Sequence, residues 1–286
     1  MLAALLLAGP DAVLSHSSAA FAHRLWGFRP PPPDAKSYAQ WMAKLMSSPI
    51  EIAVPHDQRP KGFVTQPVSG ARIPIVFHRT RAAGAGQRRA EGPLLSDRVE
   101  VSTVGGACST RARTLAELAE ALYLGVIQRA EFVMAFEHAV NLGEWDAMKT
   151  LFEEFAAQRP HLWVLEEMLC RHSLYTARVE SAAEAVCDDL FWSVGLRPER
   201  QHRFTLSSGR RVRTDFLFMP EGVVVEVEGE SAHPAAQLSR DRDRHNGLVD
   251  LGLTPVYYDA ITVLFRPQVV VRGVLTLLRK RGVKSA

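Results

Sequence analysis

Hydrophobic positions follow two different periods along this chain, helical in some stretches and alternating in others. Residues 1–9 (MLAALLLAG) form an apolar run that predicts a short buried helix, cut at Gly9-Pro10. A second helix is expected from Ser15 to about Leu25. Arg29 and the four prolines after it cannot be helical and predict a rigid polyproline break. Residues 49–55 (PIEIAVP) and 73–78 (IPIVFH) are rich in Ile and Val and predict strands. Residues 79–93 are rich in Gly, Ala and Arg and predict an exposed loop. Its arginines, Arg79, Arg81, Arg88 and Arg89, are either solvated or a phosphate-contacting set. From Thr110 the period turns helical. Thr114-Leu-Ala-Glu117 matches a capping box, and helices are expected near 128–140, 144–157 and 162–170.

Ser181-Ala-Ala-Glu184 is a second capping box, opening a helix through about Val194 with Gly195 as its stop. The pattern then alternates. Strands are expected at 203–206, 212–218 and 223–228, separated by Ser207-Ser-Gly209 and Pro220-Glu-Gly222 turns. A polar helix from about Pro234 to Leu251, a strand at 254–258 and a helix at 267–280 complete the order. Helix, three strands, helix, strand, helix predicts a mixed α/β core of about 100 residues, covered on both faces.

Length allows one large domain or two ordinary ones: 286 residues, 47% hydrophobic and 23% charged, which excludes wholesale disorder. Net charge is +3, from 34 Lys+Arg against 31 Asp+Glu, which neither demands nor excludes a nucleic-acid partner. The three cysteines, Cys108, Cys170 and Cys187, form no CxxC pair and no disulfide framework, so a reducing, cytoplasmic setting is expected. A secretory reading of the apolar start is disfavoured. No Lys or Arg precedes it, and Asp11 falls before the would-be cleavage site. The run is also too short for a membrane helix. An alternative explanation of so apolar a start is that the reading frame opens inside a domain. Trp26, Trp41, Trp145, Trp163 and Trp192 are expected as core or interface anchors, and Cys187 as a buried, inert thiol. Neither a phosphate-cradling Gly loop nor a Gly-x-Ser-x-Gly nucleophile is present.

The chemistry-bearing residues lie in the last third. The tight turn at 220–222 sets the strands 212–218 and 223–228 side by side. Asp215 lies on the first, and Glu226 and Glu228 lie two apart on one face of the second. They alternate with Val225 and Val227 in a strand apolar enough for the middle of a sheet. Acidic groups there repel one another unless a cation or a shared proton relieves them. Converging carboxylates suit a hard divalent ion such as Mg²⁺, which can polarise a phosphodiester and generate hydroxide. Gly229 allows a tight exit, His233 is placed for general acid or base work, and Arg240-Asp-Arg242-Asp-Arg244 opens a helix able to meet phosphate. A structural acidic cluster paired with Arg211, Arg213 or Arg244 is the alternative. The cap alone could account for Glu184, and His16 and His78 are read as capping or hydrogen-bonding residues.

Asp215, Glu226-Val-Glu228-Gly229, His233, Asp241-x-x-Arg244-x-x-x-Leu248 and Gly252, in that order, resemble the restriction-endonuclease-like (PD-(D/E)XK) core. The nearest branch is the Vsr-like, very-short-patch-repair endonucleases, with Glu184 matching the acidic residue of their first helix. The resemblance covers about 175–282. It implies a mixed sheet flanked by helices and Mg²⁺-dependent (or Mn²⁺-dependent) hydrolysis of DNA. Asp215, Glu226 and Glu228 would hold metal, His233 and Glu184 would join the catalytic set, and Arg240, Arg242 and Arg244 would bind nucleic acid. No further cofactor and no membrane are implied. Glu228 stands where the superfamily has Lys and the nearer relatives Asp, and Tyr258 where relatives often have a polar or basic residue. These departures favour a second expectation, a catalytically inactive nuclease-fold scaffold that binds DNA or a protein partner in toxin–antitoxin-type regulation. Upstream, Ser15-His16-Ser-Ser-Ala19-Ala20, Phe77-His78-Arg79 and Thr110-Arg-Ala-Arg113-Thr114-Leu115 resemble pieces of the AbiEi-type antitoxin-like region. That resemblance implies an α+β domain over 1–170, here without the winged helix that usually precedes it.

Overall fold

A computed structural model of the chain describes residues 1–28, 43–44, 47–55, 62–65, 72–80, 98–101, 105–156, 159–175, 177–229 and 235–282. The chain is mixed α/β and divides into two compact units, Met1–Cys170 and Arg171–Ala286. Among the described residues, no helix is long and apolar enough to cross a membrane. The polyproline run, Trp41, Arg81, Arg88, Arg89 and His233 lie outside the described residues.

The first unit opens with α1 (Leu2–Ala8), β1 (Val13–Leu14) and α2 (His16–Ala22). β2 (Ile50–Pro55), β3 (Phe63–Thr65), β4 (Arg72–Thr80), β5 (Arg98–Val101) and β6 (Gly106–Ser109) follow. They make a six-stranded mixed sheet in the order β3-β4-β2-β1-β6-β5. α1 is amphipathic rather than buried all round. Ala4, Leu5 and Ala8 join the core with Leu14, Ile52 and Val54, while Leu6 and Leu7 face solvent at 75% and 62% exposure. β1, β3, β5 and β6 have two to four residues each, too few for alternation to reveal them. Arg79 belongs to the end of β4, not to a loop.

Helices α3 (Arg111–Tyr123), α4 (Arg129–Asn141), α5 (Trp145–Phe155) and α6 (Trp163–Ser173) follow. The cap of α3 differs from expectation. Thr110 receives the Arg113 N–H, and Thr114 and Glu117 turn inward. Glu117 accepts from His16 N at 3.0 Å, Ser109 Oγ at 3.0 Å and the fully buried Arg113 Nε at 2.8 Å. A buried guanidinium needs that carboxylate more than a helix end does, since water can satisfy the helix end. Trp163 is 53% exposed and anchors no core.

The second unit contains α7 (Ala182–Ser193), β7 (Glu199–Thr205), β8 (Arg211–Phe218), β9 (Val223–Glu228), α8 (Ala235–Asp250), β10 (Thr254–Asp259), α9 (Ala260–Phe265) and α10 (Pro267–Gly282). Its sheet runs β10-β9-β8-β7, with β9 parallel to β10 and antiparallel to β8. The apolar β9 therefore lies inside the sheet, as its composition predicts. Ser181 caps α7 by accepting the Glu184 N–H, and Phe191 meets Phe216 and Phe218 edge-on at 5.4 and 5.3 Å. Leu248 of α8 packs with Leu206 and Val212. Gly247 makes this approach possible: a Cβ there would sit 2.6 Å from Leu206 Cδ1. Tyr258 packs against Gly273 of α10, whereas its neighbour Tyr257 lines the groove described below. Cys187 is buried, as expected.

An ionic core accompanies the apolar one. Arg171 and Arg200 share the carboxylate of Asp188, with Arg200 Nε at 2.9 Å from Oδ1. Arg171 also reaches Asp189 Oδ1 at 2.8 Å. Arg200 lies 3.7 Å over the Tyr175 ring.

Candidate functional site

At the end of the β8–β9 pair the sheet opens into a groove of about 470 Å³. Asp215, Glu226 and Glu228 contribute its acidic side, Asp241, Arg242 and Arg244 its α8 side, and Tyr257 a wall from β10. The β8–β9 ladder ends at Phe216↔Val225. One residue further on, Asp215 Oδ2 accepts the Val227 N–H at 2.8 Å, so a carboxylate takes over from the backbone in joining the strands. Glu226 Oε1 accepts from Arg244 Nη2 at 2.6 Å, and the same nitrogen donates to the Arg213 carbonyl at 2.6 Å. Arg244 thus spans both strands from α8.

Glu184 reaches this assembly through a residue that sequence reasoning missed. Gln201 Nε2 is 2.9 Å from Glu184 Oε2 and 3.5 Å from Asp215 Oδ1, an amide shared between two carboxyls. Gln201 lies in β7 with φ +54°, a left-handed conformation that costs energy for any residue but glycine. Arg200 and His202 pair with β8 on either side of it, and Gln201 itself does not. Its position across the hairpin from Asp215 is the only sequence signal for it. His245 Nδ1 lies 3.2 Å from Tyr257 Oη, a second polar pair that the sequence did not suggest.

Burial dominates the electrostatics. It pushes the Glu184 carboxyl up to about 7, and the Asp215 charge adds to the rise. Glu226 is likewise pushed up to about 7, although Arg244 opposes the shift. Asp215 is raised by burial despite its bond from Val227 N–H and the nearby Arg244 charge. Buried Glu184 and Glu226 and half-buried Asp215 therefore crowd one another beside the groove, and among the described residues Arg244 makes the salt bridge to them.

Of the residues singled out from sequence, Asp215, Glu226 and Glu184 come together, and Glu228, Arg242 and Arg244 line the same groove. Arg240 is exposed outside that lining, with its carbonyl accepting from Arg210. Arg213 pairs with Glu180 rather than with the acidic cluster. Among the described residues, the set of three potential metal ligands whose donor atoms all lie within 4.8 Å of one another is His16, Glu51 and His78, in the first unit. At the groove, a cation would meet Glu226 already engaged by Arg244. Compared with family models, curated proteins and solved structures, the chain matches none.

Proposed function

We propose that the second unit is a metal-dependent endonuclease of the restriction-endonuclease-like class, acting on DNA phosphodiesters in the cytoplasm. The crowding of Asp215, Glu226 and Glu184 beside the arginine-lined groove carries this reading. Burial raises all three carboxyls even though Arg244 and Arg213 oppose the rise at Asp215, so ionising them together is costly without a further cation, and Mg²⁺ or Mn²⁺ is the hard ion that such oxygen donors suit. Asp215, Glu226 and Glu228 would hold the ion, which when bound supplies charge neutralisation and an acidified water. Glu184 and Gln201 orient Asp215, and Glu184, raised to about 7, can hold or release a proton near neutral pH. Arg244 can exchange Glu226 for a substrate phosphate, and Arg242 lines the path that phosphate would take. His233 follows β9 and completes the set by resemblance.

Calorimetric titration with Mg²⁺ and Mn²⁺ tests this reading on wild type and Asp215→Ala, followed by cleavage assays on mismatched, branched and duplex DNA. Saturable binding is expected in the wild type, weakened at least ~10-fold in Asp215→Ala, with metal-dependent cleavage lost in that variant. Absence of both binding and cleavage in the wild type overturns the nuclease reading. One observation favours the alternative scaffold: the Arg244–Glu226 pair closes the site without a cation. In that case Arg244→Ala destabilises the unit, and the partner to seek is DNA bound without cleavage, or a protein.

A further inference from the structure

We infer that the first unit carries a second metal site, independent of the groove, in which His16, Glu51 and His78 bind a late first-row divalent cation of the Zn²⁺ class. The three side chains come from separate elements. Glu51 is on β2 and His78 on the adjacent parallel strand β4, with Glu51 opposite Val76 and Ala53 opposite His78. That register sets the two diagonally on one face. His16 arrives from the first turn of α2, and its ring stacks on that of His78 with centroids 3.7 Å apart. Glu51 Oε1 lies 3.4 Å from His78 Nε2, and one donor atom from each residue falls within 4.8 Å of the other two.

The surroundings hold the three in place. His16 has φ +48°, a strained backbone for a histidine, and its N–H is held by Glu117 Oε2 at 3.0 Å. Glu51 Oε2 accepts the Ser17 N–H at 2.9 Å, and the Glu51 N–H goes to Ser18 Oγ at 3.0 Å. Neither His16 nor His78 caps α2: its N-cap is Ser15, which makes no side-chain cap bond. His16, only 4% exposed, has its Nδ1 buried with no hydrogen-bond partner among the described residues, and the buried His78 Nε2 has the Glu51 carboxylate 3.4 Å away without making a hydrogen bond to it. A hydrogen-bonded cluster would leave those nitrogens unsatisfied, whereas a cation engages ring lone pairs directly.

The donor set selects the ion. Two imidazoles and one carboxylate suit Zn²⁺, Co²⁺, Ni²⁺ or Fe²⁺ and not Mg²⁺ or Ca²⁺, which favour all-oxygen shells. Three protein ligands leave a coordination position free, and the half-buried His78 marks the solvent side. Glu120 Oε2 lies 3.9 Å from His16 Nε2, a carboxylate charge beside the outer nitrogen of the ring.

Co²⁺ is the probe, because bound Co²⁺ absorbs in the visible when held by few ligands. The full-length chain, stripped with chelator, is expected to develop visible d–d absorption with Co²⁺ that saturates at one equivalent per chain, whatever further Co²⁺ the groove takes up, and that Zn²⁺ displaces. His78→Ala should lose that absorption and weaken Zn²⁺ binding by about 100-fold or more, whereas Asp215→Ala, in the other unit, should keep it. Circular dichroism of metal-free His78→Ala checks its fold, and His78→Gln serves if alanine disturbs β4. Imidazole nitrogen resonances of the wild type provide a test that needs no variant: two histidines should shift on saturation with Zn²⁺. Absorption absent from the wild type, absorption retained in both His78 variants, or unshifted histidine resonances would overturn the site. Absorption lost only in Asp215→Ala would assign the ion to the groove instead.

Discussion

Replacing Asp188 by alanine is expected to destabilise the second unit by about 3–5 kcal/mol, the cost of breaking a buried ion pair from one side. Asp188 is 1% exposed and serves two guanidiniums, Arg171 at 1% and Arg200 at 4% exposure. Its removal takes away the carboxylate that these two guanidiniums share in a low-dielectric interior. Asp189 still holds Arg171 at 2.8 Å, but it sits nearer the surface. The loss is a large share of the stability of a domain this size, typically about 5–15 kcal/mol. Urea unfolding followed at Trp192, which lies under Arg171 and Arg197, reads the change directly. Asp189→Ala should cost less than half as much. If Asp188→Ala shifts stability by under about 1 kcal/mol, the two arginines find other partners and the ionic core is dispensable.

That ionic core was not legible in the sequence, and the reason is physical. Asp188 and Arg200 are 12 residues apart in an ordinary-looking helix and strand, and only the packing of α7 against the sheet reveals that both are buried. Elements whose signal is local were legible. Ser181 and Glu184 announced α7, the Pro220-Glu-Gly222 turn fixed the β8–β9 hairpin, and Val223–Val227 carried the composition of an interior strand. β7 starts at Glu199, earlier than expected, because Glu199-Arg-Gln-His202 shows no alternation and Gln201 breaks the ladder with a positive φ. α9 went unread because its cap, Asp259 accepting the Thr262 N–H, follows a strand with no intervening loop. At the site, Asp215 and Glu226 could be paired from sequence because one tight turn sets their register. Gln201 could not, since its bridging depends on a backbone conformation. His16 and His78 were visible as motif pieces. Their meeting depends on the non-local parallel pairing of β2 with β4, which no turn specifies.

The opposite sign of mutational effect is expected at Glu184. Burial and the Asp215 charge raise its carboxyl from 4.5 to about 7, so the folded chain binds its proton more tightly than the unfolded chain. Between those two values the folded state carries more protons, and stability must fall as pH rises. The contribution is fully present below about 4.5 and lost once pH passes 7. Glu226, raised to the same value, acts in the same direction. A shift of that size corresponds to about 3 kcal/mol by which ionised Glu184 destabilises the fold at pH 8. Glu184→Gln removes the charge but keeps an oxygen for the Glu180 N–H and Gln201 Nε2. It forfeits about 0.3–1 kcal/mol of helix-dipole stabilisation at the start of α7. The variant should therefore be about 2 kcal/mol more stable than wild type at pH 8 and no more stable at pH 4. Thermal melts across that range, with and without Mg²⁺, make the comparison. A cation bound beside Asp215 offsets the same repulsion, so Mg²⁺ should raise the wild-type melting temperature more at pH 8 than at pH 5. It should raise that of Glu184→Gln less. A wild-type profile flat from pH 4 to 8, with a variant no more stable at either end, would mean that the carboxyls do not repel. The groove would then lose the excess negative charge that makes it a candidate for a divalent ion.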